Sequence, residues 1–121
     1  MNRLKEAVMN CGILIIEDDY LGRVVLKEIF HRQGFTRVEE AKNGREGLEK
    51  IASFRPDLVI LDVVMPEMDG LTATKAIRRQ RITRVDGTPV SIVALTAHAL
   101  ETHRQACLAA GMDDYVTKPV A

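Results

Sequence analysis

Four groups of chemically capable side chains stand at intervals along this chain, three directly after a short apolar run and the fourth after a short stretch that also reads as a strand. Glu17-Asp18-Asp19 follows Gly12-Ile-Leu-Ile-Ile16, and Asp62 follows Leu58-Val-Ile-Leu61. Thr96 follows Val90 to Leu95, and Lys118 follows Asp113 to Thr117. Carboxylates gathered in one place repel one another and call for a cation. Carboxylates, a carbonyl and waters suit Mg²⁺, whose octahedral oxygen shell leaves room for phosphate oxygens. A lysine ammonium and a threonine hydroxyl are donors for an anion held on that metal. A carboxylate at the centre of such a set can act as nucleophile. The combined chemistry is phosphoryl capture at a metal, with Asp62 central. Taken singly, each residue has a plainer role: Asp19 as a helix N-cap, Asp62 as a turn residue, Lys118 as a solvated lysine. Four plain roles at four run ends are less economical than one site.

The apolar runs must be strands if these residues are to meet. Leu58 to Leu61 lacks the polar alternation of a half-exposed strand, which predicts burial on both faces. Pro66 and Gly70 then break the chain into a turn. Between the runs lie helical patterns. The first is expected to bury a stripe of Leu21, Val25 and Ile29, with Leu26 and Phe30 beside it, and to stop at Gly34. Thr36 to Ala41 reads as a more polar strand at a sheet edge. Asn43 caps a helix with Gly44, Gly47, Leu48 and Ile51 inward, stopped before Pro56. Leu71 to Arg81 is helical with Ala73 and Ile77 inward. The arginines at 78, 79, 81 and 84 are expected to complement the helix dipole and face water. Asp86-Gly87-Thr88-Pro89 is turn chemistry. Ala97 to Ala110 is helical and closes at Gly111.

Strands alternating with helices in this way predict an α/β fold, doubly wound, with a five-stranded parallel sheet and right-handed crossovers. In a parallel sheet the carboxyl ends share one rim, so Glu17, Asp18, Asp62, Thr96 and Lys118 can converge there.

The bulk properties bound the alternatives. With 121 residues the chain has room for one domain. Seventeen basic residues balance seventeen acidic ones, so no net field draws it to nucleic acid or an anionic membrane, and neither direct nucleic-acid binding nor membrane insertion is expected. The apolar runs fall far short of the ~20 residues that span a bilayer. Cys11 and Cys107 are far apart and read as two buried, reduced thiols of a cytoplasmic protein.

The motifs Ile-Leu-Ile-Ile-Glu-Asp-Asp, Leu-Asp-Val-Val-Met-Pro-Glu-Met-Asp-Gly, Ala-Leu-Thr-Ala and Tyr-Val-Thr-Lys-Pro, in this order and spacing, resemble the response regulator receiver domains of two-component and phosphorelay signalling. The resemblance runs from about Gly12 to Pro119. Cys-Leu-Ala-Ala-Gly-Met-Asp-Asp-Tyr-Val-Thr-Lys-Pro is closest in style to receivers fused to hybrid sensor histidine kinases. The resemblance implies a flavodoxin-like sheet of order 2-1-3-4-5. It implies that Asp62 accepts a phosphoryl group from the phosphohistidine of a histidine kinase or phosphotransfer protein. Glu17 and Asp18 would hold Mg²⁺ (or Mn²⁺), together with Asp62 and the Val64 carbonyl. Thr96 and Lys118 would bind phosphoryl oxygens, and Thr96 and Tyr115 would form a conformational switch. The Lys118–Pro119 peptide is expected to be cis. The family's water-orienting positions are Val64 and His98 here, which predicts slow loss of the phosphoryl group.

On the family pattern a fifth helix follows Lys-Pro, whereas only Val120 and Ala121 remain. The receiver domain, 12–121, is therefore expected to lack its final helix, and residues 1–11 form an extension that can be helical. Apolar surface around Ile13, Ile15, Val90 and Ile92 is then expected to lie open, covered by the extension or, preferably, by a second copy in a homodimer.

Rival functions fit less well. A haloacid-dehalogenase-type phosphatase, also an Asp nucleophile with Mg²⁺, carries Asp-x-Asp after its first strand rather than its third. An FMN binder needs a hydroxyl- and Gly-rich loop where this chain has Glu-Asp-Asp. A nucleotide hydrolase needs a Gly-x-x-x-x-Gly-Lys loop, which is missing. A receiver-like module that is never phosphorylated would be expected to lack one of the four motifs. The chain is expected to act as a receiver that catalyses its own phosphorylation and slow dephosphorylation, not as an enzyme on other substrates.

Overall fold

The computed structural model describes residues 10–63, 69–96 and 101–117. Strands and helices alternate through them: β1 (Ile13–Ile16), α1 (Tyr20–Arg32), β2 (Val38–Ala41), α2 (Gly44–Phe54), β3 (Leu58–Asp62), α3 (Gly70–Arg79), β4 (Ser91–Thr96), α4 (Glu101–Ala109) and β5 (Asp114–Thr117). The strands form one parallel sheet in the order β2-β1-β3-β4-β5. The expected fold class and strand order are both present. β3 lies at the centre, as its unbroken apolar run requires, and polar β2 lies at an edge.

Side chains alternate across a strand, so the register sorts the core into two layers. Leu14, Ile16, Val59, Leu61, Ile92 and Ala94 face one side, where Ile51 of α2, Ala73 and Ile77 of α3 and Cys107 of α4 close over them. Ile13, Ile15, Ile60 and Leu95 face the other, against Leu26 of α1 with Phe30 and Phe35 beside it. The helix starts follow from their caps. Asp19, Asn43 and Asp69 each accept a hydrogen bond from the backbone N–H three residues on, at 3.0, 2.8 and 2.8 Å. α2 stops at Arg55, which takes the left-handed conformation at φ 55° just before Pro56.

Several expectations are corrected. The buried line of α1 is Leu26 and Phe30, whereas Leu21 and Val25 of the expected stripe stand in water at 71% and 49% exposure. Ile13, Ile15, Val90 and Ile92 are not open: all four are at most 1% exposed. Strand parity explains both pairs. Ile13 and Ile15 lie in the layer of α1, and Val90 and Ile92 lie in the opposite layer with Ile77 and Cys107. The apolar side chains that do stand out on the sheet and α1 are Tyr20, Leu21, Val24, Val25 and Val116.

Arg78 does not simply face water. Its guanidinium donates to the carbonyls of Gly111 (2.8 Å) and Val90 (2.7 Å) and to the Asp113 carboxylate (2.8 Å), tying α3 to the turn before β5. Arg84 also turns inward, its guanidinium donating to the Ser91 hydroxyl. Cys107 is buried and burial pushes its thiol pKa up, but Cys11 is only half-buried. Residues 1–9 of the expected extension, Val64, His98, Lys118, the Lys118–Pro119 peptide and the chain after Thr117 lie outside the described residues.

Candidate functional site

The acidic turn after β1 and the end of β3 meet at one rim of the sheet. β1 pairs with β3 so that Ile16 lies opposite Leu61, which sets Glu17 level with Asp62. Glu17, Asp18 and Asp62 each offer a carboxylate oxygen, and these oxygens lie within 4.8 Å of one another. Glu17 and Asp62 are buried at 2% and 4% exposure, while Asp18 faces solvent. Two buried carboxylates beside a third are costly unless positive charge joins them. An all-oxygen donor set of this charge is the kind that suits a hard dication such as Mg²⁺. The residues present fit the metal.

The local sequence explains how the turn is held. Asp19 caps α1, which leaves Glu17 and Asp18 for the site. A Cβ at Gly22 would lie 2.9 Å from Glu17 Oε1, so glycine lets the first turn of α1 approach the buried carboxylate. Arg23 then reaches back and donates to the carbonyls of Glu17 (2.8 Å) and Asp18 (3.2 Å). The same guanidinium donates to Glu40 at 3.2 Å, where Lys27 also arrives at 3.3 Å. Burial pushes the Glu40 carboxyl up, but hydrogen bonds and charge from Arg23 and Lys27 outweigh it and hold the pKa below the usual glutamate value. Gly22 and Arg23 escaped the sequence reading. Both sit within the α1 pattern, where a glycine and an arginine at the first turn were the only signal.

Asp62 is fixed by its neighbours' backbones. Val63 N–H donates to the Leu95 carbonyl at 3.1 Å, and the Val63 carbonyl accepts from Gly70 N–H at 2.9 Å. The start of α3 is thereby drawn against the residue after Asp62. Thr96 ends β4, is 1% exposed, and its Oγ1 lies 3.1 Å from His103 Nε2 on α4. Tyr115 of β5 is half-buried, and its ring meets the His103 ring edge-on, with centroids 6.2 Å apart and planes at 65°. Glu17, Asp18 and Asp62 are thus brought together, and Thr96 and Tyr115 are linked through His103, a residue the sequence did not single out.

A family model of the response regulator receiver domain matches residues 13–121. The chain belongs to that family. It is 40% identical over 109 residues, 90% of its own length, to the sensor histidine kinase GacS of Pseudomonas protegens, of which it covers 12%. Among solved structures, the receiver domain of the sensor histidine kinase PA1611 from Pseudomonas aeruginosa, described with a magnesium ion coordinated in its active-site cleft, matches with a TM-score of 0.78 at 34% identity. That match covers 93% of this chain and 88% of the other. The Vibrio cholerae chemotaxis protein CheY4 matches with a TM-score of 0.83 at 29% identity, covering 93% and 89%. The chain spans less than half the length of GacS and of other curated relatives it matches, from 9% to 46%. It is a receiver domain of two-component signalling, with an acidic site for Mg²⁺ and phosphoryl acceptance. No helix among the described residues is long and apolar enough to cross a membrane.

Proposed function

We propose that Asp62 is the phosphoacceptor of this receiver, taking its phosphoryl group from the phosphohistidine of a histidine kinase or phosphotransfer protein. The observation that carries the reading is the burial of Asp62 at the end of the central strand, its carboxylate within reach of those of Glu17 and Asp18. An Asp62 oxygen attacks phosphorus, the new O–P bond forms as the P–N bond breaks, and the electron pair of that bond stays on the departing imidazole. Mg²⁺, or Mn²⁺ with its similar oxygen preference, would be held by Glu17, Asp18, Asp62 and the Val64 carbonyl, and would neutralise charge on the carboxylates and phosphoryl oxygens. Arg23 keeps the Glu17–Asp18 backbone in place from behind. Thr96 donates its hydroxyl hydrogen, and Lys118 its ammonium, to the phosphoryl oxygens. Movement of Thr96 toward that group lets Tyr115 turn inward and alters the surface of α4 and β5.

The exposed side chains of Tyr20, Leu21 and Val24 support the partner reading. They stand on α1 directly after the acidic turn, an apolar patch beside the reacting group where a helical partner can dock. The reading places the protein in the cytoplasm and gives it no substrate but its own aspartate. Intact-mass measurement after incubation with acetyl phosphate tests it. Wild-type chain with Mg²⁺ should gain the mass of one phosphoryl group, and Asp62→Asn, or wild type with excess chelator, should gain none. A gain by the Asn variant refutes the assignment.

A further inference from the structure

The contact between Thr96 and His103 lies outside the acidic site, and no strand-end motif announces it. His103 projects from α4, with Nε2 3.1 Å from Thr96 Oγ1. The same imidazole stands edge-on to Tyr115, 6.2 Å between centroids. Thr96 pairs with Thr117, two residues beyond Tyr115, so the hydroxyl and the ring share one face of the sheet. One side chain therefore touches both the hydroxyl that the proposed function aims at a phosphoryl oxygen and the ring that would move with it.

A threonine hydroxyl turns about a single stiff torsion between staggered wells, so its oxygen occupies one direction at a time, whether it donates to the imidazole or accepts from it. Thr96 directed at α4 is engaged by His103, and Thr96 directed at Asp62 has to give that bond up. Tyr115, for its part, cannot turn without sliding along the edge of the imidazole. We propose that His103 is a positioning residue of the switch, holding Thr96 toward α4 against its move to a phosphoryl group on Asp62 and so setting how readily phosphorylation reshapes the α4–β5 surface. The inference rests on the roles of Asp62 and Thr96 given above. His103 touches no phosphoryl oxygen in this scheme and acts only through Thr96 and Tyr115.

Two substitutions separate the hydrogen bond from the ring packing. His103→Phe keeps an aromatic edge against Tyr115 and removes the nitrogen, whereas His103→Gln restores a hydrogen-bonding group. With acetyl phosphate and Mg²⁺, His103→Phe should be phosphorylated about two- to tenfold faster than wild type, the range of one net neutral hydrogen bond. His103→Gln should return close to the wild-type rate. In a Thr96→Ala background, replacing His103 should change nothing further, since the double-mutant cycle then has no contact to remove. An unchanged or slower rate in His103→Phe, or an acceleration that survives Thr96→Ala, overturns the proposal.

A second measurement depends neither on phosphorylation nor on a substituted histidine. The ¹⁵N shift of His103 Nε2 in the wild-type chain should differ from that in Thr96→Val, which removes the hydroxyl at nearly constant volume. An identical shift in the two proteins means that the contact does not exist and sinks the proposal. If the contact is there but wild-type chain takes up no phosphoryl group, the failure belongs to the proposed function, and the switch role of His103 falls with it.

Discussion

Replacing Gly70 with alanine strikes the site through its scaffold. Gly70 opens α3, and its N–H donates to the Val63 carbonyl. A Cβ there would press into the Asp62 carbonyl oxygen, and would lie 2.8 Å from Val63 Cα and 3.0 Å from the Asp62 carbonyl carbon. Ordinary contact begins at 3.4 Å, and all three atoms are backbone, so no side chain can swing away to relieve the overlap. The contrast is Gly47, where the three nearest atoms to an added Cβ all belong to the side chain of Ile16. Overpacking costs typically about 1–3 kcal/mol, and an unyielding backbone puts Gly70→Ala at about 3. At this first helical position alanine recovers less than the ~1 kcal/mol it would in a helix interior, which leaves a net loss of at least about 2 kcal/mol. That corresponds to a melting temperature lower by about 8 °C, at roughly 4 °C per kcal/mol for a domain of this size. In urea the midpoint should fall by about 1 M at constant slope. Relief of the overlap also displaces the end of β3, so phosphorylation by acetyl phosphate should slow together with the loss of stability. An unchanged urea midpoint would refute the reasoning about this packing. A lowered midpoint with an unchanged phosphorylation rate would show that Asp62 does not depend on it.

Three other outcomes are expected. Arg78→Ala should cost about 2 kcal/mol in urea unfolding because it strands two backbone carbonyls and Asp113, whereas exposed Arg79→Ala should stay within about 0.5 kcal/mol. Glu40→Gln should destabilise by about 0.5–1 kcal/mol near neutral pH. The folded-state pKa of Glu40 is depressed, so this contribution is present above the unfolded glutamate pKa and disappears as the pH falls through the folded value. Wild type and variant should therefore converge in strong acid, and a gap that widens on acidification would contradict the ion-pair account. Val64→Asn should shorten the phosphoryl lifetime, since an amide can orient an attacking water and an isopropyl group cannot, and equal lifetimes would remove that explanation.

Sequence made much of this architecture legible because the signals were local. An apolar run ending in Asp62 has to be a buried strand, and Asp19, Asn43 and Asp69 cap helices by their own side chains. The face of α1 was not legible for a physical reason. Leu21, Val24, Val25, Leu26, Ile29 and Phe30 ring much of the helix, so periodicity alone does not choose an inner line. Tertiary contact chooses it, through Gly22 against Glu17 and Leu26 against the sheet. The run of arginines was equally silent on which one folds back, because the carbonyls of Gly111 and Val90 that bind Arg78 arrive from distant parts of the chain. Ile13 and Val90 were misplaced because a strand's parity says which residues share a face and not which face a helix covers. Within the site, the acidic triad was readable from two strand ends, those of β1 and β3, converging on one rim. His103 was not, since its partner hydroxyl lies seven residues away and on another element.

The position of the phosphoryl group tests the central claim most directly. Wild-type chain phosphorylated by acetyl phosphate in the presence of Mg²⁺ would be fragmented in the mass spectrometer and the adduct assigned to a residue. The account predicts one acid-stable, hydroxylamine-labile adduct, located on Asp62 and absent when chelator replaces Mg²⁺. An adduct on His103, on Thr96 or on any other carboxylate, or one that forms equally well without the metal, would contradict it.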